Sequence, residues 1–80
     1  MNKNDIKFLY CLYKNECTSE LKSFTIKKIQ ENVGLSNTHV RYTKKLMLVE
    51  GYINNGFQDG NASTYYITQT GLAKLKEVSK

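Results

Sequence analysis

Arg41, Lys44 and Lys45 put three positive charges on one short stretch of an 80-residue chain whose overall formal charge is +5. A guanidinium can make two parallel hydrogen bonds to a guanine edge or enter a narrow minor groove, and ammonium groups suit phosphate oxygens. Just ahead of these cations, Asn37, Thr38 and His39 add amide, hydroxyl and imidazole groups. Further along, Asn54, Asn55, Gln58, Asn61, Ser63 and Thr64 form a second polar set with no arginine among them. Each of its amides carries both donor and acceptor, the equipment for reading a base edge. The chemistry implied is recognition of a polyanion, with duplex DNA as the partner. Bond-making chemistry finds no carboxylate pair at acid–base spacing, no Ser-His-Asp set and no phosphate-cradling glycine loop, so we expect neither an enzyme nor a cofactor. Cys11 and Cys17 are too few and too badly spaced to form a zinc site with the lone His39, and read as reduced structural thiols.

Side chains used in this way need a rigid support, and apolar spacing supplies it. Ile26, Ile29 and Val33 recur as one stripe of a helix, with Thr25 as its N-cap and Gly34 free to take positive φ at its end. Leu35 packs back through the turn and Ser36 caps the next helix. On that second helix Val40, Thr43 and Met47 point inward, which leaves Thr38, Arg41, Tyr42 and Lys45 outward with no acidic residue to balance them. Tyr42 either stacks on sugar or, as we favour, packs beneath the hairpin that follows. From Gly51 the pattern changes to extended runs at 52–57 and 62–67, joined through Gln58-Asp59-Gly60-Asn61. Asp-Gly predicts a two-residue turn, which pairs Gln58 with Asn61, Tyr52 with Ile67 and Asn54 with Tyr65; Asn55-Gly56 offers a competing turn. A first helix over 5–15 has Asp5 near its positive end. A connection over 16–24 holds a short helical turn or a brief strand, anchored by Phe24. A last helix over 69–78 starts from Thr68 as N-cap and turns Leu72, Leu75 and Val78 inward.

In this order the motifs resemble the winged helix-turn-helix superfamily. Ser36-Asn37-Thr38 stands where that family opens its recognition helix, Gly51-Tyr52-Ile53 where it enters the wing, and Tyr65-Tyr66-Ile67-Thr68-Gln69-Thr70-Gly71 where it closes the wing. Thr43 departs from the larger aliphatic usual there, which predicts thinner packing beneath the recognition helix. The resemblance implies an α+β fold over 1–80: a three-helix core, a β-hairpin wing and a C-terminal helix. It also implies a recognition helix in the major groove and a wing along the minor groove. The expected DNA contacts are Lys3 from a short arm, Asn37, Thr38, His39, Arg41, Lys44 and Lys45 from the helix, and Gln58, Asn61 and Ser63 from the wing. In scale and composition the chain is also similar to small clostridial conjugation accessory proteins of the TcpK type, which implies a transfer origin as target.

A domain of this size has one small core, so extra burial by oligomerisation is expected. The first helix is apolar on two sides, with Ile6, Leu9, Tyr10 and Tyr13 on one and Phe8, Cys11 and Leu12 on the other. Either residues 17–24 fold over the second side or a homodimer covers it. We favour the homodimer, with Phe8, Leu12 and Val49 as contacts and Leu46 and Leu48 in support. No signal peptide is evident and no apolar run approaches the ~18 residues of a membrane span, so a cytoplasmic protein is expected. Lys- and Asn-rich content without Trp or Pro suits AT-rich bacterial genomes, plasmids and phages. A rival reading is a docking module for other DNA-processing or transcription proteins, since fold alone does not separate the two.

Overall fold

A computed structural model describes residues 1–78. Its elements are α1 (Lys3–Lys14), β1 (Phe24–Thr25), α2 (Ile26–Val33), α3 (Asn37–Glu50), β2 (Ile53–Asn55), β3 (Thr64–Ile67) and α4 (Gln69–Val78). The strands form an antiparallel sheet in the order β1-β3-β2, and the whole is a winged helix-turn-helix domain.

The first helix starts earlier than the spacing predicts because Asn2 caps it. The Asn2 side chain accepts from the Asp5 amide at 2.9 Å while the Asp5 carboxylate accepts from the Asn2 amide at 3.4 Å, a reciprocal capping box. At the other end the Cys17 amide donates to Leu12 O at 2.8 Å and the Glu16 amide to Tyr13 O at 3.1 Å. This pattern requires a left-handed residue, and Glu16 takes φ 59°. The turn drops Cys17 onto the core, where it is buried. Burial pushes the Cys17 thiol up to about 11, and raises that of Cys11 as well, so both free cysteines stay protonated at neutral pH.

Both apolar sides of α1 contribute to the core of the single chain, contrary to expectation. Phe8 and Leu12 are 0% exposed and share the core with Leu9, Ile29, Val40, Met47, Ile53, Ile67 and Leu75. They therefore cannot be dimer contacts. The physical reason is that α1 packs against α2, α3, α4 and β3 together, so a helix apolar on two sides is the central helix of the core. The side expected to face inward is split: Leu9 is buried and Ile6 packs against the core, as predicted. Tyr10 and Tyr13 are half exposed, with ring centroids 6.2 Å apart, and do not face inward.

The helix-turn-helix follows the predicted caps. Thr25 Oγ1 accepts from the Lys28 amide at 3.2 Å, Gly34 ends α2 at φ 70°, and Ser36 Oγ accepts from the His39 amide at 3.2 Å. Val40, Thr43 and Met47 are buried beneath α3 as expected. The helix runs on through Glu50, so one carboxylate does sit at its end. Thr68 joins the two ends of the wing: its hydroxyl donates to Gly51 O at 2.6 Å and accepts from the Gly71 amide at 3.0 Å. Gly71 is obligatory because a Cβ there would strike the Tyr52 carbonyl and Ile67.

The hairpin register differs from the predicted one by a residue. Ile53 lies opposite Ile67, Asn54 opposite Tyr66 and Asn55 opposite Tyr65. Pairing two buried isoleucines directly decides this choice. At the tip Asp59 and Ala62 exchange two 3.0 Å bonds around Gly60-Asn61, with φ 64° at Gly60. Between base and tip the first strand carries one extra residue, a bulge at Phe57-Gln58. It arises because the Phe57 amide donates to Glu20 O at 3.0 Å and leaves the ladder. Ser23 Oγ donates to Thr64 Oγ1 at 2.9 Å, so the connection before β1 braces the base of the wing.

Candidate nucleic-acid interface

α2, α3 and the wing enclose an open cleft of about 900 Å³. Asn37, Arg41 and Lys44 line it from α3, at successive steps of three or four residues along one flank. Asn61, Ala62 and Ser63 line it from the wing, and Asp59 is the carboxylate on its rim. Thr25, Ile26, Lys27 and Gln30 complete it from the start of α2. Lys27, Arg41 and Lys44 against Asp59 leave the cleft net positive, and donors face inward from two sides.

Two of these side chains are held. Arg41 Nε donates to Asn37 Oδ1 at 3.3 Å, one helical turn away. Lys44 Nζ lies 5.7 Å from the centre of the Tyr65 ring, a cation–π contact across the floor of the cleft. A lysine parked there keeps its charge beside the groove while its stem covers apolar surface.

The predicted site residues divide into three places. Asn37, Arg41, Lys44, Asn61 and Ser63 come together in the cleft. Gln58 does not: it lines a separate hollow on the far side of the wing with Glu20, Leu21 and Phe57. The bulge at Phe57-Gln58 accounts for this placement, since it offsets the tip from the strand ladder at the base. On α3 the helical angle carries Thr38 and Lys45 to the outward crest. His39 turns to the opposite flank, where its Nε2 lies 3.0 Å from Asn4 Nδ2. That contact also brings the start of α1, with Lys3, beside the opening of α3. Lys27 and Gln30 were missed by the reading of the sequence. Their signal was present, because both lie off the Ile26–Ile29–Val33 stripe, but the face they share acquires meaning only from the wing opposite.

Tyr42 is exposed and does not pack beneath the wing. With Leu46 and Val49 it forms an apolar strip along α3, away from the cleft; Val49 is 84% exposed. Among the described residues no His, Cys, Asp and Glu cluster could hold a metal ion, and no helix is long and apolar enough to cross a membrane.

No protein-family model matches the chain. It is 42% identical to the DNA-binding protein TubR of Clostridium botulinum C phage, over 98% of this chain and 96% of that one. The solution structure of the DNA-binding TubR fragment from Clostridium botulinum superposes with a TM-score of 0.78, at 42% identity over 98% of this chain and 96% of the fragment. TubR from Bacillus megaterium pBM400 shares the fold at a TM-score of 0.85 with 19% identity, over 96% of this chain and 84% of that chain. An identity of 42% along nearly the whole chain, on the same helices and wing, places this chain in the TubR family of DNA-binding proteins.

Proposed function

We propose that the protein is a sequence-specific binder of double-stranded DNA that acts as a small regulator for a phage or plasmid. The observation that carries this reading is the cleft in which Arg41, Lys44 and Lys27 face Asn61 and Ser63 across an open groove. α3 enters the major groove and the wing follows the adjacent backbone or minor groove. Arg41 reads a base, Lys27, Lys44 and Lys45 hold phosphates, and Asn61 and Ser63 supply base-directed hydrogen bonds. Thr38 and His39 meet the backbone at the start of α3, with Lys3 beside them. Gln58, on the far side of the wing, is reserved for a phosphate contact only. The phage origin of the relative favours such a regulator over the conjugation variant of the same reading, in which the target is a transfer origin.

The active species in this proposal is a homodimer. Val49 remains a contact, joined by Tyr42 and Leu46, because an exposed apolar strip of that length on a helix is costly to leave in water. A dimer predicts paired half-sites. Fluorescence-anisotropy titration tests the function: a duplex selected from a random pool should bind far more tightly than its scrambled form, with affinity falling steeply as salt rises. Equal, salt-insensitive affinity for both duplexes would favour the docking-module reading.

A further inference from the structure

We infer that Asn37 is a positioning residue for Arg41, and that the pair acts as one unit that reads a guanine through its N7 and O6. The inference rests on the DNA-binding reading above. Arg41 is the α3 cation whose side chain is held by a directional bond, Nε to Asn37 Oδ1 at 3.3 Å. Asn37 is suited to hold it. As the first residue of α3, directly after the Ser36 cap, it starts from a fixed backbone, and its four-residue spacing puts both side chains on one face. The donor is charged and the acceptor neutral, and the bond fixes a direction for the guanidinium.

What the bond leaves free decides the recognition. A guanidinium can approach guanine with Nε and one Nη, or end-on with both Nη groups. Occupation of Nε by Asn37 removes the first mode and leaves the end-on fork, one N–H from each Nη. Guanine presents the matching pair of acceptors, N7 and O6, on its major-groove edge, whereas adenine presents a donor where O6 would be. Asn37, Arg41, Asn61 and Ser63 line the same cleft, so the fork lies where a base edge enters between helix and wing. A long side chain already steered by a bond at Nε also loses less freedom on binding than a solvated lysine. Lys44, over the Tyr65 ring, has no such directional restraint.

A double-mutant cycle tests the pair, read as the ratio of affinities for a duplex selected from a random pool and its scrambled form, with circular dichroism confirming the fold. Asn37→Ala should lower that ratio about three- to tenfold in the otherwise unchanged protein and not at all in an Arg41→Ala background. Asn37→Asp keeps the acceptor and should keep the ratio even though its added charge weakens binding to both duplexes. Replacing the guanines of the selected duplex with 7-deazaguanine, which lacks N7, should cost the unchanged protein more than Asn37→Ala. Losses that simply add would make Asn37 an independent contact and overturn the inference alone. An unchanged protein with no preference for the selected duplex would overturn the function and this inference with it.

Discussion

The two flanks of α3 are built from one continuous helix and have opposite chemistry. On the flank toward the wing, Asn37, Arg41 and Lys44 line a positive cleft. On the flank away from it, Tyr42, Leu46 and Val49 expose an apolar strip that starts beside the His39–Asn4 contact. Between them Val40, Thr43 and Met47 are buried. The difference teaches that a helix of this length can present three surfaces at once: a buried face below, a positive flank on one side and an exposed apolar strip on the other. It also explains why the helix is only weakly amphipathic in sequence, since two of its three faces are apolar.

The comparison breaks most sharply if the apolar strip is not an interface. Replacing Leu46 and Val49 together with Glu would bury charges in the proposed dimer and should cost several kcal/mol of association, leaving folded monomers. Sedimentation showing the unchanged protein to be monomeric at micromolar concentration would remove the dimer. Leu12→Ala is the control from the core: it should cost about 2–5 kcal/mol of folding stability by thermal or denaturant melting, whereas Val49→Ala should stay within about 0.5 kcal/mol.

The polar flank is sharpened by smaller changes. Arg41→Ala should cost about 1–3 kcal/mol on the selected duplex and relax its base preference. Asn61→Ala should cost about 1 kcal/mol of the same discrimination, while Gln58→Ala, on the other side of the wing, should leave it unchanged. Equal losses at the two positions would mean that the wing tip turns over on DNA. A small, sequence-independent effect is expected at Lys44: its replacement by Ala should weaken all duplexes alike and reduce the slope of log affinity against log salt by about 1.

Caps and turns were legible because they are local. Thr25, Gly34, Ser36 and Thr68 all play the parts their residue types suggest, and each acts on backbone groups within three or four residues. The hairpin was legible in kind and missed in register, because the tip alone favours Asp59-Gly60 while the Ile53–Ile67 pair and the Phe57–Glu20 bond favour a shift. The first helix was read correctly at Ile6 and Leu9, but Phe8 and Leu12 are buried as well and Tyr10 and Tyr13 are half exposed. Phe8 and Tyr10 are both apolar enough for either role, and nothing within α1 says how many neighbours will surround it.

What the sequence by itself determined is the succession of helices, turn and hairpin, the positive charge and the polar character of the wing. These follow from residue spacing and type, whose effects reach no further than one helical turn or one strand pair. Only the tertiary structure decided which polar residues form a site. It brought Lys27 and Gln30 from α2 to the cleft, sent Gln58 behind the wing and His39 toward α1, and took Phe8 and Leu12 into the core. Each of these outcomes depends on contacts between segments far apart in the chain, where packing on both sides of a residue selects one face among several that local chemistry allows.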